Sequence, residues 1–165
     1  MNSQEDRVAL ARALAGDLSA WTGLPAGATA ADFAALAAGQ IAAGEGRLAG
    51  APVSYRDYAG FPGPLRVFFD ENGDAFLVWA DWPPGGDGAA LLAALGPADA
   101  VLWDAPSRRP GTVQHVWGAR GVAAYVADDG AARGLALFMP ASPEVYRANL
   151  GGSETAPYRP ARPGG

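Results

Sequence analysis

Residues 75–82 place apolar side chains on both faces of a predicted β-strand. Strand alternation divides them into two sets, Phe76, Val78, Ala80 and Trp82 on one face and Ala75, Leu77 and Trp79 on the other. A sheet with helices on one side and water on the other carries polar residues on its wet face. Both faces of this sheet must therefore be covered, line a pocket or form an interface.

Other segments share the period-two pattern. They are residues 53–58, 65–69, 113–117, 122–127 and 133–139. Asn72-Gly73 separates two of these strands and Asp128-Asp129-Gly130 separates two others, and both are typical hairpin turns. The pattern predicts an antiparallel sheet of about six strands.

Helical spacing of apolar residues predicts four helices. They cover residues 4–18, residues 29 or 30 to about 43, residues 88–95 and residues 142–150. Asp87 and Ser142 are suitable N-caps, and Pro143 favours a first helical turn. We therefore expect an α+β fold in which the helices pack on one face of the sheet.

An internal repeat emerges from this order of elements. A hairpin, a proline, a short helix and a Leu-Gly pair occur twice, with turn glycines Gly73 and Gly130 separated by 57 positions. This spacing favours a tandem duplication of a helix-plus-three-strand unit, over residues 28–82 and 87–139, followed by the end helix 142–150. The alternative is a chance likeness between two hairpin-plus-helix segments of a chain rich in Ala, Gly and Pro. Residues 1–152 are expected to form one domain, and residues 153–165 a flexible Pro/Gly/Arg tail.

The second predicted unit carries a family resemblance. The helix and turn of residues 91–97, then Trp117, then a hairpin ending in residues 135–138 resemble the layout of the small outer-membrane assembly lipoproteins. In tandem, the layout is similar to that of the β-lactamase inhibitor protein family. The chain has neither the lipoprotein cysteine of the first family nor the disulfides of the second. The resemblance implies a tandem architecture and a non-catalytic binding role, and it assigns no functional residue.

Composition excludes several classes of function. The chain has no Cys, and all of its basic residues are Arg. Sites that need a lysine, such as a phosphate-binding loop or a Schiff base, are therefore excluded, as are thiol chemistry and cysteine-based zinc binding. The net charge of -5, with arginines scattered along the chain, argues against nucleic-acid binding.

The histidine and the acidic residues, which are the candidates left for chemistry, predict no catalytic set, no metal site and no cofactor. His115 is the only histidine and has no acidic or hydroxyl neighbour in sequence. Asp70, Asn72, Asp74 and Asp81 fit part of a calcium-loop template, but the flanks are predicted strands, so we favour a plain hairpin turn. A carboxylate pair built from Asp57, Asp81 or Asp104 stays open, because sequence alone cannot pair carboxylates across a fold.

The aromatic residues are the candidate binding residues. They are Tyr55, Tyr58, Phe68, Trp79, Trp103, His115, Trp117 and Tyr125. Trp and Tyr are favoured anchors in binding sites. Three interpretations stay open for this set: core, pocket or interface.

These observations favour a non-enzymatic bacterial protein-binding module, such as an immunity or inhibitor protein, which binds a basic protein partner through an aromatic sheet face. The alternative is a binding protein, or a catalyst that acts by shaping its substrate, with a small apolar ligand in an aromatic-lined pocket. A carboxylate-based hydrolase is a third interpretation. The polar N-terminus and the short apolar run of residues 75–80 predict a cytoplasmic protein without a membrane span. The sequence leaves the oligomeric state open.

Overall fold

The computed structural model describes residues 4–25, 27–35, 40–48, 51–59, 63–103 and 111–151. Within these residues the helices are α1 (Gln4–Leu14), α2 (Ala30–Ala35), α3 (Gly88–Leu95) and α4 (Pro143–Tyr146), with a π-helical turn over Arg147–Gly151 and a 3-10 turn over Gly118–Arg120. The strands are β1 (Gln40–Leu48), β2 (Ala51–Tyr58), β3 (Leu65–Phe69), β4 (Ala75–Asp81), β5 (Ala100–Leu102), β6 (Thr112–Trp117), β7 (Val122–Ala127) and β8 (Ala132–Phe138). The α+β class is confirmed.

All eight strands of the described residues form one antiparallel sheet in the order β1-β2-β3-β4-β8-β7-β6-β5. The predicted number of about six strands is therefore wrong. Strand β1 begins at Gln40, where the second helix was predicted to continue, and α2 ends at Ala35. Most of β1 is exposed, and its sequence, with two Ala and two Gly, carries no apolar alternation. Pairing with β2 therefore defines this strand.

Helix α1 is also shorter than predicted, because it ends at Leu14 rather than near residue 18. Gly16 follows with a φ of +89°, a conformation that favours glycine. A Cβ at Gly16 would overlap the Arg120 carbonyl oxygen. The Arg120 side chain donates to the carbonyls of Leu95 (2.5 Å) and Leu14 (3.4 Å), and so joins the C-terminal ends of α3 and α1.

A β-bulge changes the face on which two residues of β4 lie. Phe68 pairs with Leu77 and Phe69 pairs with Ala75, so that Phe76 is the extra residue. Ala75 therefore packs in the same cluster as Val78, and Phe76 packs in the same cluster as Leu77. The predicted alternation is wrong for Ala75 and Phe76, because a bulge shifts the period by one residue.

The two halves of the fold, α2 with β1–β4 and α3 with β5–β8, make equivalent hydrogen bonds. The amide of Ala30 donates to the Gly73 carbonyl (2.9 Å), as Gly88 does to Gly130 (3.0 Å). Ala75 likewise donates to Ala28, and Ala132 to Gly86, each at 2.9 Å. Strand β8 has a bulge at Arg133, which matches the bulge at Phe76. Each half contains one helix and four strands, one strand more than the predicted unit.

The β4–β8 pairing relates the halves by an approximate two-fold axis. Trp79 pairs with Ala136 at the centre of this seam. On either side of that pair, Leu77 lies opposite Phe138 and Asp81 lies opposite Gly134. The central strands therefore pair in a register that is symmetric about Trp79 and Ala136.

Buried side chains form one apolar cluster on each face of the sheet. On the helix face, Ala13 of α1, Phe33 of α2 and Leu91 of α3 pack with sheet residues such as Val78 and Leu135. On the opposite face, here called the second face, Tyr146 of α4 packs in a cluster with Phe68, Trp79, Tyr125 and Phe138. The expectation of helices on one face is confirmed for α1, α2 and α3, and it is wrong for α4.

Candidate functional site

Four of the eight predicted aromatic residues meet on the second face. These are Tyr55, Phe68, Trp79 and Tyr125. The rings of Trp79 and Tyr125 meet edge to face with centroids 4.7 Å apart, and a Cβ at Gly134 would overlap the Trp79 ring. Only 2% of Trp79, 6% of Phe68 and 8% of Tyr125 is exposed. These three side chains are therefore packed and do not form an exposed aromatic surface.

The other four candidates lie elsewhere, so the structure does not bring all eight together on one face. Tyr58 and Trp117 are buried in the helix-face cluster, where the Tyr58 hydroxyl donates to the Phe33 carbonyl at 3.1 Å. His115 shares this face through strand alternation, and its ring stacks with that of Trp117. Trp103 follows β5 and is 73% exposed.

Asp57 and Arg66 form a buried ion pair on the second face. Two parallel hydrogen bonds of 2.6 Å join Arg66 Nε and Nη2 to the two carboxylate oxygens of Asp57. The guanidinium carbon of Arg66 lies 3.8 Å from the centroid of the Tyr55 ring. In the other half of the sheet, the cross-strand pair at the same place in the register is Val116 and Ala123. The charged pair therefore belongs to one half alone.

Tyr146 fastens α4 to the sheet. Its hydroxyl lies 2.8 Å from the Tyr125 hydroxyl and donates to Gln114 Oε1 at 3.1 Å. The pKa of Tyr146 is raised well above its usual value. Burial is the larger cause, and the neighbouring Tyr125 is the smaller one. The Tyr146 ring also contacts Phe138, with centroids 4.7 Å apart. These contacts hold α4 against the second face of the sheet.

A groove of about 720 Å³ opens between α4 and one end of the sheet. Its lining residues are Leu48, Ala51, Pro52, Val53, Asp70, Glu71, Asn72, Phe76, Phe138, Met139, Pro140, Ala141, Val145, Tyr146, Ala148, Asn149 and Leu150. The adjoining ends of β1 and β2, together with the β3–β4 turn, form one side, and α4 with its π-helical turn forms the other. The lining is mostly apolar, so the groove suits an apolar ligand.

The charge of this lining has one sign. Asp70 and Glu71 are its carboxylic acids, and no basic residue is among the described residues that line it. Asp70 Oδ1 accepts the amides of Asn72 and Asp74, each at 2.9 Å, which holds its carboxylate within the β3–β4 turn. Glu71 is exposed beside it. One edge of the apolar groove is therefore negatively charged.

Sequence reasoning missed this groove. Phe76 was assigned to the wrong face, and Phe138 and Tyr146 were not among the candidates. The N-cap at Ser142, whose Oγ accepts the Val145 amide at 3.4 Å, does indicate a helix directly after β8. A short helix with one large aromatic residue was the available signal, but the sequence does not show which face of the sheet that helix crosses.

The acidic residues of the calcium-loop template do not converge. Asp70 belongs to the hairpin turn, which confirms the predicted turn, while Asp81 lies at the far end of β4 and accepts the Trp79 indole N–H at 2.9 Å. In the described part of the chain, no group of three or more His, Asp or Glu residues is placed to hold a metal ion. Asp104 and the predicted tail 153–165 lie outside the described residues.

Comparisons with protein-family models, with curated proteins and with solved structures found no match. No helix among the described residues is long and apolar enough to cross a bilayer.

Proposed function

We propose that this protein is a non-enzymatic binding module whose groove receives an apolar segment of a partner polypeptide. The observation that carries the proposal is the groove itself, an apolar opening on a sheet face that is otherwise closely packed. A cytoplasmic immunity or inhibitor protein with a basic target is one form of this role.

The chemistry of the lining supports a polypeptide segment. Sites for small polar molecules place a few polar groups to orient the ligand. Here the Tyr146 hydroxyl is engaged with Gln114 and Tyr125, and the carboxylates lie on the β3–β4 turn. The remaining walls offer mainly apolar contact, which suits the side chains of an apolar segment.

The two halves support a tandem duplication, with a unit of one helix and four strands. The equivalent bonds of Ala30 and Gly88, and the equivalent bulges at Phe76 and Arg133, are what a duplication produces. After β4 the chain enters α3 on the helix face, whereas after β8 it enters α4 on the second face. We infer that the terminal helix, which departs from the repeat, created the groove.

Random peptides displayed on phage and selected against the immobilised full chain provide the test. We expect selected peptides to bind at least about tenfold more weakly to Ala148→Trp, whose indole fills the groove from an exposed position. Ala93→Trp, on the exposed side of α3, is the matched control and should bind normally. Equal binding by both variants, or failure to select any peptide, would contradict the proposal.

The volume of the groove favours a second candidate function, the binding of a small apolar molecule. About 720 Å³ lies within the range of small-molecule pockets, roughly 300–1,000 Å³. Native mass spectrometry of the protein recovered from its host distinguishes the two. A small added mass that Ala148→Trp removes supports this candidate, whereas a stoichiometric polypeptide that the same variant loses supports the first.

A further inference from the structure

We propose that the groove selects an apolar segment flanked by arginine or lysine, with the cation lying against Asp70 and Glu71. This inference rests on the proposed function and specifies the chemistry of the partner. Both carboxylates stand on the β3–β4 turn at one edge of the groove, beside apolar walls that strengthen their field.

Within the described ranges, these two carboxylates are not paired with a cation of the chain. The ion pairs there join Arg12 to Asp17, Arg66 to Asp57 and Arg133 to Asp129. None of these involves Asp70 or Glu71. The net charge of -5 adds to the attraction that a basic segment would experience.

The equivalent turn in the other half shows what is different here. On the β7–β8 turn, Arg133 lies 3.1 Å from Asp129 and neutralises part of its charge. Phe76 takes the bulge position of Arg133 in the first half, where it lines the groove. The presence of an aromatic ring in place of a guanidinium both enlarges the apolar surface and leaves the acidic edge for a cation from outside.

Three synthetic peptides of about ten residues, with one shared Leu/Phe core flanked by Arg, Ser or Glu, test this selectivity by fluorescence anisotropy on the full chain. We expect the Arg-flanked peptide to bind about five- to tenfold more tightly than the Ser-flanked one, and the Glu-flanked peptide to bind most weakly. The preference should largely disappear at about 1 M salt, where the Debye length is about 3 Å.

The variant Asp70→Asn/Glu71→Gln should abolish the preference for Arg while it retains binding of the Ser-flanked peptide, because the side-chain carbonyl oxygen introduced by Asp70→Asn can still accept the turn amides. Asp128→Asn is the matched control, since Asp128 has the position of Glu71 on the other hairpin turn. It should keep the full preference.

Equal affinity for the Arg-flanked and Ser-flanked peptides would overturn the charge inference and leave the proposed groove intact. Loss of all binding in Ala148→Trp would confirm that the peptides occupy the groove, whereas no effect there would overturn the proposed function as well. Tighter peptide binding by Arg159→Gln/Arg162→Gln would show that the chain's own C-terminal arginines compete for Asp70 and Glu71. That result would overturn the assignment of this acidic edge to a partner.

Discussion

At the scale of single residues, the second face contains two polar arrangements with different physical consequences. Asp57 and Arg66 carry full charges out of water, and each loses hydration that their mutual contact must offset. Tyr146, Tyr125 and Gln114 form a hydrogen-bonded group instead, which costs less to bury. The first arrangement therefore depends on both of its partners, and the second determines where α4 sits.

Asp57→Ala should destabilise the fold by about 3–5 kcal/mol, because it removes the carboxylate that faces a buried guanidinium. Asp57→Val/Arg66→Met should cost less than this single change, since the other half carries Val116 and Ala123 at the equivalent places. Urea unfolding measures both. Asp129→Asn, in an exposed ion pair, is the control and should cost less than about 1 kcal/mol. A double variant that is less stable than Asp57→Ala would refute this account.

His115 should make stability depend on pH. Partial burial lowers its folded-state pKa below the usual value of 6.5, so the folded protein disfavours the protonated ring. Its contribution is complete above the unfolded pKa of about 6.5 and is lost as pH falls toward the lower folded pKa. His115→Gln should reduce the change of the urea midpoint with pH over this interval. An unchanged slope would show that His115 is not the titrating group.

At the scale of elements, local sequence signals determined some helices and strands, and long-range strand pairing determined others. Asp87 caps α3 through the Ala90 amide at 3.0 Å, and α3 has its predicted bounds. Strands β3 and β7 also have their predicted bounds, because each is a largely apolar run that ends at a hairpin turn. Strands β1 and β5 lie at the two edges of the sheet, where one neighbour alone defines the strand. Such edge strands carry weak hydrophobic patterns and were missed.

Ser142→Ala should loosen α4 without loosening the sheet. The change removes the side-chain oxygen that accepts the Val145 amide, at a cost of about 1 kcal/mol. We expect faster hydrogen exchange of amides in residues 145–150 and unchanged exchange in β4 and β8, with weaker peptide binding because α4 forms a groove wall. Ser54→Ala, on β2 outside the groove lining, is the control. Equal protection of α4 in both variants would contradict the assigned cap.

At the scale of the whole molecule, the β4–β8 seam makes one core from two similar halves. The helix-face cluster contains Val67 and Val78 from the first half and Leu135 and Leu137 from the second. Because these side chains are buried together, one half cannot unfold without exposing the apolar surface of the other. The approximate symmetry is broken on the second face, where α4 has no counterpart and the groove forms.

The described domain should therefore unfold in one cooperative transition. Far-ultraviolet circular dichroism and tryptophan fluorescence should give superimposable urea curves, since Trp79 and Trp117 lie in opposite clusters of the same sheet. Two separated midpoints would instead show that the halves, or the two faces, unfold independently.

Local signals in the chain were sufficient for the fold class, the hairpin turns and most of the central strands, because alternation, turn residues and caps act over a few neighbouring positions. They also indicated that both faces of β4 must be covered. The edge strands, the face of Phe76 and the side to which α4 crosses depend instead on pairing and packing across the folded sheet. The groove follows from those three outcomes, since Leu48, Phe76 and Tyr146 are distant in sequence and meet only when the sheet has formed.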